Sequence, residues 1–278
     1  MSQTYIELTL LIAPLPSGRD IAIAFLSDQG YESFVETDRG LQAFIKEKDW
    51  TADLLDALYP LVENGLELNW SLKTIPPQNW NAVWESDFVP IIVEDRCAVR
   101  AHFHAPIDLP IEIVITPKMS FGTGHHQTTY MMMQYLLNYP PKGQSVLDMG
   151  CGTGVLAILA EKLGADQVEA IDVETWCVEN TKENIKQNNC NQIAPHLGDR
   201  NAIPEKAYST ILANINMNVL LVDLSLFAKL LSSDGKVYLS GFFHQNLPAI
   251  ETKANQCGLK LVDYKEKENW VAAHFIKR

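Results

Sequence analysis

Residues 144–154 read Gln-Ser-Val-Leu-Asp-Met-Gly-Cys-Gly-Thr-Gly, and this stretch constrains the fold more than any other part of the chain. Ser145 to Met149 is a short apolar run, which predicts a buried strand. Gly150, Gly152 and Gly154 follow at alternate positions, and Val155 to Leu163 has helical composition. A strand that turns through three glycines into a helix lets backbone come within contact distance of a ligand, because no Cβ intervenes. A dinucleotide fingerprint would be spaced G-x-G-x-x-G, with a pyrophosphate over the helix N-terminus. Here the spacing is G-x-G-x-G with Asp148 two residues ahead, which predicts a ligand without a pyrophosphate. Val168 to Ile171 reads as the next strand, and Asp172 at its end can accept hydrogen bonds from ribose hydroxyls. An Asp in a β–α turn needs no ligand to explain it; the glycine loop upstream is what gives Asp172 a functional reading.

At 278 residues the chain has room for two ordinary domains. With 47% hydrophobic and 20% charged residues it is a folded protein and not a disordered one. No apolar run reaches the roughly 18 residues of a membrane span. The opening Tyr-Ile-Glu-Leu-Thr-Leu-Leu-Ile-Ala, with Glu7 inside it and no basic leader, predicts a strand and not a signal peptide. Five scattered cysteines, never in C-x-x-C, indicate a reducing compartment, without a disulfide framework or a zinc site, and a cytoplasmic address is expected. The net charge of −12 is uneven: residues 1–90 hold 5 Lys/Arg against 14 Asp/Glu, or −9, leaving −3 for the remainder. Such a front half repels a phosphate backbone and attracts a basic partner, although an acidic surface also serves solubility alone. Nucleic acid is disfavoured as the direct substrate, and no membrane partner is expected.

The first 75 residues show β-α-β-β-α-β order, the ferredoxin-like split β-α-β arrangement. Tyr5 to Ala13 alternates as a strand. Ser17 is placed to cap a helix running to about Gln29, with Ile21, Ala24 and Phe25 on one face. Glu32 to Thr37 and Leu41 to Lys48 read as strands joined near Asp38-Arg39-Gly40. Thr51 to Val62 is helical with Leu54, Leu55, Leu58 and Leu61 as its stripe, and Leu66 to Ile75 closes the set. Pro76-Pro77 ends the unit. Residues 76–117 are then expected to form a linker, a short helix carrying Trp80 and Trp84, and a small strand-rich lid. From Lys118 onward strands and helices alternate, which predicts a catalytic domain over 118–278 with a mostly parallel, doubly wound sheet. Its later strands fall near 192–197, 209–213, 236–240, 260–265 and 271–276, the last two pairing antiparallel.

Residues 116–129 read Thr-Pro-Lys-Met-Ser-Phe-Gly-Thr-Gly-His-His-Gln-Thr-Thr. This resembles the D-P-G-x-A-F-G-T-G-x-H-x-T-T signature of the PrmA family, which methylates a ribosomal large-subunit protein (protein eleven) at the base of the stalk. Upstream, Trp80, Trp84, Phe88 and Pro90 reproduce the family's W-x3-W-x3-F-x-P spacing. Downstream, the glycine loop is similar to motif I of S-adenosylmethionine-dependent methyltransferases, and Asp172 and the Ala-Asn-Ile of 213–215 follow in family order. The matching in detail covers residues 80–241. Lys118 and Ser120 replace the usual Gly and Ala, Gln127 stands where Pro or Glu is common, and Asn216-Met217-Asn218 replaces a leucine-rich run beside the amine pocket.

The resemblance implies an α/β, class I methyltransferase with a doubly wound, seven-stranded sheet, preceded by a small ferredoxin-like α+β domain that holds the protein substrate. It implies S-adenosyl-L-methionine as cofactor, contacted by Thr129, Gly150, Gly152, Asp172 and Asn214. Phe121 can cover the cofactor or pack in the core, and Asp199 can meet the adenine amino group or be an ordinary loop aspartate. The transfer is an in-line displacement by an uncharged amine, so the protein must desolvate and align that amine. Asn214 and the carbonyl of Ile215 are the expected acceptors of its hydrogens. The N-P-P-Y of enzymes acting on adenine or glutamine is absent here, which favours an sp3 amine. His102, His104, His125 and His126 lie close in sequence, but the family signature carries its histidines without a metal, and none is expected.

The expected activity is methylation of lysine or N-terminal amines of a ribosomal protein, by a chain for which a monomer is favoured. Two alternatives are a small-molecule amine N-methyltransferase with a dimerising front domain and a non-catalytic ribosome-assembly factor.

Overall fold

Strict alternation along Tyr5–Ala13 (β1) turns Ile6, Leu8, Leu10 and Ile12 to one side, and all four are buried. In the computed structural model, which describes residues 4–56, 58, 61–62, 65–75, 88–118 and 120–278, β1 is a central strand. It pairs antiparallel with β3 (Gly40–Lys46) and β4 (Glu67–Ile75), and β2 (Ser33–Thr37) pairs with β3, giving the order β2-β3-β1-β4. That is the predicted ferredoxin-like sheet. Leu8 stands opposite both Ala43 and Leu72, so the inward side chains of neighbouring strands are in register. Each leucine buried this way contributes about 1.5–3 kcal/mol.

Helix α1 (Leu15–Asp28) departs from the prediction at both its start and its face. It begins two residues before Ser17, with Pro16 in its first turn, where a missing N–H costs nothing. The buried stripe is Gly18, Ala22 and Leu26, whereas Ile21 and Ala24 are exposed. Small residues at two of the three positions bring the helix close to the sheet, a preference that hydrophobicity alone does not reveal. Of the second helix, α2 (Asp53–Asp56) is described. Leu58 and Leu61 are buried and Leu54 half-buried against the same core. The predicted helix carrying Trp80 and Trp84 lies outside the described residues, as does the Leu55 side chain.

The chain divides into two units, 1–87 and 88–278. The second contains a seven-stranded sheet of β8 (Ser145–Met149), β9 (Gln167–Asp172), β10 (Ile193–Leu197), β11 (Tyr208–Asn214), β12 (Leu231–Phe243), β13 (Leu259–Lys267) and β14 (Trp270–Lys277). Their order is β10-β9-β8-β11-β12-β14-β13, parallel except for β14, which runs antiparallel to both neighbours. Helices α3 (Gln127–Asn138), α4 (Val155–Lys162), α5 (Thr175–Gln187), α6 (Met217–Leu230) and α7 (Leu247–Gln256) alternate with the strands. Both faces of the sheet are covered: Val146 belongs to the core with α3 and α4, and Leu147 to the core with α6 and α7. The winding goes outward from β8 to β10, then returns past β8 to β11. That reversal opens a crevice at the carboxyl ends of β8 and β11, where ligands of such sheets bind.

The strand-rich segment is part of this second unit. Strands β5 (Ile91–Val93), β6 (Cys97–Ala101) and β7 (Ile111–Ile115) form a small sheet, with β6 and β7 parallel. Val93, Cys97, Val99, Ile113 and Ile115 share one core with Met131, Tyr135 and Val155. The units therefore divide at 87/88, whereas the sequence reading set 76–117 apart as a linker and lid between a front domain ending at 75 and a catalytic domain starting at 118. The outer edge of β7 is met by a row of asparagines from α5 and its end. Val114 exchanges two hydrogen bonds with Asn188, Thr116 donates its N–H to Asn184 Oδ1 at 2.8 Å, and the Thr116 carbonyl accepts from Asn180 at 3.0 Å. Spaced four apart, these residues lie on one helix face. Among the described residues no helix is long and apolar enough to cross a membrane.

Candidate active site

The crevice is a cavity of about 380 Å³ lined by Phe121, Gly150, Gly152, Asp172, Asn214 and Ile215, with Met149, Val173, Cys177, Asn216 and Val219. Six of the residues predicted to bind cofactor or amine thus converge from four separate stretches of chain. Asp172 ends β9 and fixes the loop geometry. Its Oδ2 accepts from Gly152 N–H at 2.9 Å and its Oδ1 from Glu174 N–H at 3.0 Å. Each oxygen keeps a lone pair for a ligand hydroxyl. Phe121 is 52% exposed at the lip, so it is no core residue, and its carbonyl accepts the Thr153 N–H at 2.9 Å.

The glycines do more than leave room for a ligand. Gly150 has φ +78°, and a Cβ there would overlap Ile215 Cγ2. From the other side, Gly241 at φ +95° lies so close that a Cβ would overlap the Ile215 carbonyl. Ile215 also donates its N–H to the Ser240 carbonyl at 3.2 Å. The segment after β11 is thus held in a clamp between the glycine loop and β12. Gly241 sits at the β12 irregularity, where the pairing with β14 shifts between Ser240 and Phe242. No sequence motif marks Gly241, because its partner is distant in the chain.

Asn214 is the last residue of β11 and donates Nδ2 to Thr129 Oγ1 at 3.3 Å. That leaves Asn214 Oδ1 as an acceptor. Thr129 itself is only 1% exposed and lies on α3 beneath Asn214, outside the cavity lining. Its hydroxyl oxygen accepts the Asn214 amide, and the resemblance implies a cofactor contact for it as well. Asp199 lines an adjoining cavity of about 330 Å³ that shares Met149, Val173 and Val219 with the first. It caps the short 3-10 turn Arg200–Ala202, and Asn201 binds both its oxygens.

Asp148, below the loop, is almost fully buried, and burial pushes its carboxyl up to about 7. Its Oδ2 accepts from Ala157 N–H at 3.1 Å, while Oδ1 has no partner among the described residues. Asp172, on the cavity lining, gives the crevice the acceptor that a ribose-bearing ligand requires. Cys151, in the loop, is buried with its thiol pushed well up, so it is not a nucleophile. The four histidines serve elsewhere. His126 Nδ1 accepts the Thr128 N–H and caps α3, His104 Nδ1 accepts from Ala101 N–H, and His125 Nε2 meets the Val89 carbonyl at 2.9 Å. His102 packs edge-on to Phe103.

A larger cavity of about 660 Å³ beside Arg200, Lys206 and Lys229 contains none of the predicted site residues. Two of its cations are already paired, Arg200 with Asp223 and Lys206 with Glu169.

A sequence profile described as ribosomal protein L11 methyltransferase (PrmA) matches residues 19–278. The chain belongs to this family. The L11 methyltransferase of Phocaeicola vulgatus is 41% identical over 283 residues, spanning 99% of both proteins. That of Porphyromonas gingivalis is 42% identical over 265 residues, spanning 94% of this chain and 91% of the relative. The crystal structure of a ribosomal protein L11 methylase from Lactobacillus delbrueckii subsp. bulgaricus superposes with TM-score 0.63 at 28% identity, covering 68% of this chain and 99% of that one. The fold is that of an S-adenosylmethionine-dependent methyltransferase, and the methyl donor of this enzyme is S-adenosylmethionine. The Gly150–Gly152 cradle and the Asp172 carboxylate on the cavity lining fit that molecule's ribose.

Proposed function

We propose that the enzyme methylates lysine side chains or the N-terminal amine of ribosomal protein L11. One observation carries the reading: Asn214 stands at the crevice with Nδ2 engaged by Thr129 and Oδ1 still to be engaged. An amide oxygen fixed in this way accepts an amine hydrogen and turns the lone pair toward the donor methyl. The Ile215 carbonyl, immobilised by Ser240 and Gly241, is the second candidate acceptor. When bound, S-adenosylmethionine supplies an activated methyl on a sulfonium. The amine aligned by Asn214 and the Ile215 carbonyl would take that methyl, the electron pair of the broken bond would stay with the donor, and the amine proton would pass to water.

Asp172 and Cys177 are the titratable residues of the cavity lining. Backbone N–H groups already bind both Asp172 oxygens, and burial raises the Cys177 thiol. The acceptor reacts as the free amine, which an apolar crevice favours. In this reading the Asp148, Gly150, Gly152 and Asp172 region holds the donor, Phe121 covers it, and Asp199 lies at the adenine end. The front unit, with a charge of −9 over residues 1–90, holds the basic protein substrate. Five free cysteines fit a cytoplasmic setting.

The deciding experiment incubates the enzyme with methyl-labelled S-adenosylmethionine and unmethylated ribosomal proteins, with products resolved by mass. Label on L11 alone is the expected result. No labelled protein, from enzyme that still binds the donor, would overturn the reading and leave a small-molecule amine as the acceptor.

A further inference from the structure

Four rings run in series from the crevice, the first of them, Phe121, on its lining. Phe121, on the cavity lining, lies 5.1 Å from His126, which lies 4.8 Å from Trp270, which lies 4.0 Å from Phe243, centroid to centroid. They come from three places in the chain: the loop before α3, the start of β14 and the end of β12. Their placement follows from the clamp around Ile215. Phe243 and Trp270 are paired residues two positions past Gly241, and His126 caps the helix that carries Thr129. The two end rings, Phe121 and Phe243, are 52% and 42% exposed, so the series presents open aromatic surface from the cavity outward.

We propose that this series is the track for the acceptor, binding its alkyl chain and, above all, its ammonium or methylated ammonium group by aromatic faces. The inference rests on the amine-acceptor reading above and adds the surface that recognises the acceptor. Ring faces carry negative quadrupole potential and attract cations, and quaternary ammonium groups, weakly hydrated, are attracted most effectively. An alkyl chain gains from the same surface by burial.

The charges around the track agree with this. Glu268, next to Trp270 in sequence apart from Asn269, accepts from Gln127 Nε2 at 2.5 Å, and Glu266 lies 3.7 Å from His244. Lys267 is turned away onto the Tyr130 ring, 4.4 Å from its centroid. His126 does not repel a cation either. Its Nδ1 is engaged by the Thr128 N–H and hydroxyl, and burial lowers its pKa despite Glu268. With Nδ1 in use, His126 is a wall of the track and not the base for the amine.

The test compares two probes on the full-length enzyme by NMR titration: N-acetyl-trimethyllysine amide and its neutral isostere, with carbon replacing the quaternary nitrogen. About tenfold tighter binding of the cation is expected for the wild type. That preference should fall below about twofold in Trp270→Ala and in Phe243→Ala and persist in Trp270→Phe. Donor affinity, measured in parallel, shows that each variant is folded. Equal binding of the two probes, failure of the wild type to bind the cation, or an unchanged preference in both alanine variants would each overturn the proposal. None of these readouts needs turnover, so loss of the track and loss of the L11 reading are separately visible.

Discussion

The two units fill their interiors by opposite means. The front core is hydrocarbon, from Ile6, Leu8, Leu10 and Ile12 to Leu58 and Leu61, with the Tyr31 hydroxyl and the Trp50 Nε1 as polar exceptions. Among the described residues, every buried amide and every buried charge belongs to the second unit: Asp148, Asp172, Asn180 and Asn184 are examples. Apolar burial depends on volume and tolerates many solutions, whereas a buried polar group left without its partner costs its full desolvation. The front unit is therefore free to vary in sequence around a fixed pattern. The second is committed to particular residues, because its hydrogen bonds shape the crevice.

Four measurements can break or sharpen that contrast. The largest effect is expected from Leu10→Ala, which should cost the front unit up to about 5 kcal/mol by opening a cavity in a core without polar reserves. Denaturation followed by a front-unit probe would show it, with donor affinity unchanged. A matching loss of donor binding would mean that the units share one stability. Next, Asn214→Ala should lower turnover about 100- to 1000-fold, the cost of removing one oriented polar group at a reacting centre. Donor affinity by calorimetry should hardly move, and unchanged turnover would remove Asn214 from the chemistry.

Asn184→Ala should act between these two kinds of site. The Asn184 side chain accepts from Thr116 N–H and donates to the Thr153 carbonyl at 2.8 Å, so it ties β7 to the glycine loop. Its loss should cost about 1–3 kcal/mol and weaken donor binding together. An effect on stability alone would show the loop to be held without it.

The fourth measurement is a pH dependence at Asp148. Its folded pKa is raised by burial from 3.8 to about 7, so between those values the folded chain binds more protons than the unfolded one. Stability from this group is fully present below the unfolded value and is lost as pH rises toward 7. Replacing Asp148 with Asn removes the titration, so melting temperatures of variant and wild type should diverge in the variant's favour from pH 5 to pH 8. A constant gap across that range would contradict the shift.

What could be read in the sequence followed the same division. The alternation in β1 and the loop Asp38-Arg39-Gly40 were enough for the front sheet, because period and turn chemistry are local. The face of α1 was misread, since Gly18 and Ala22 are chosen for closeness and not for hydrophobicity. In the second unit the glycine loop, Asp172 and Asn214 were legible as motifs, and the crevice unites them. The contact of Thr129 with the Asn214 side chain spans 85 positions, and no local pattern encodes it. Gly241, Trp270 and the membership of 88–117 in the second unit were hidden for the same reason. They depend on which strands become neighbours.

The asparagine row along β7 has one more consequence. A strand at the border of a sheet ordinarily offers its free amides and carbonyls to any other extended chain, which is how folded proteins are recruited into aggregates. Here Val114 and Thr116 spend those groups on side chains of a helix in the same chain. The border is closed without a further strand. A closure made of side chains can also be altered one residue at a time.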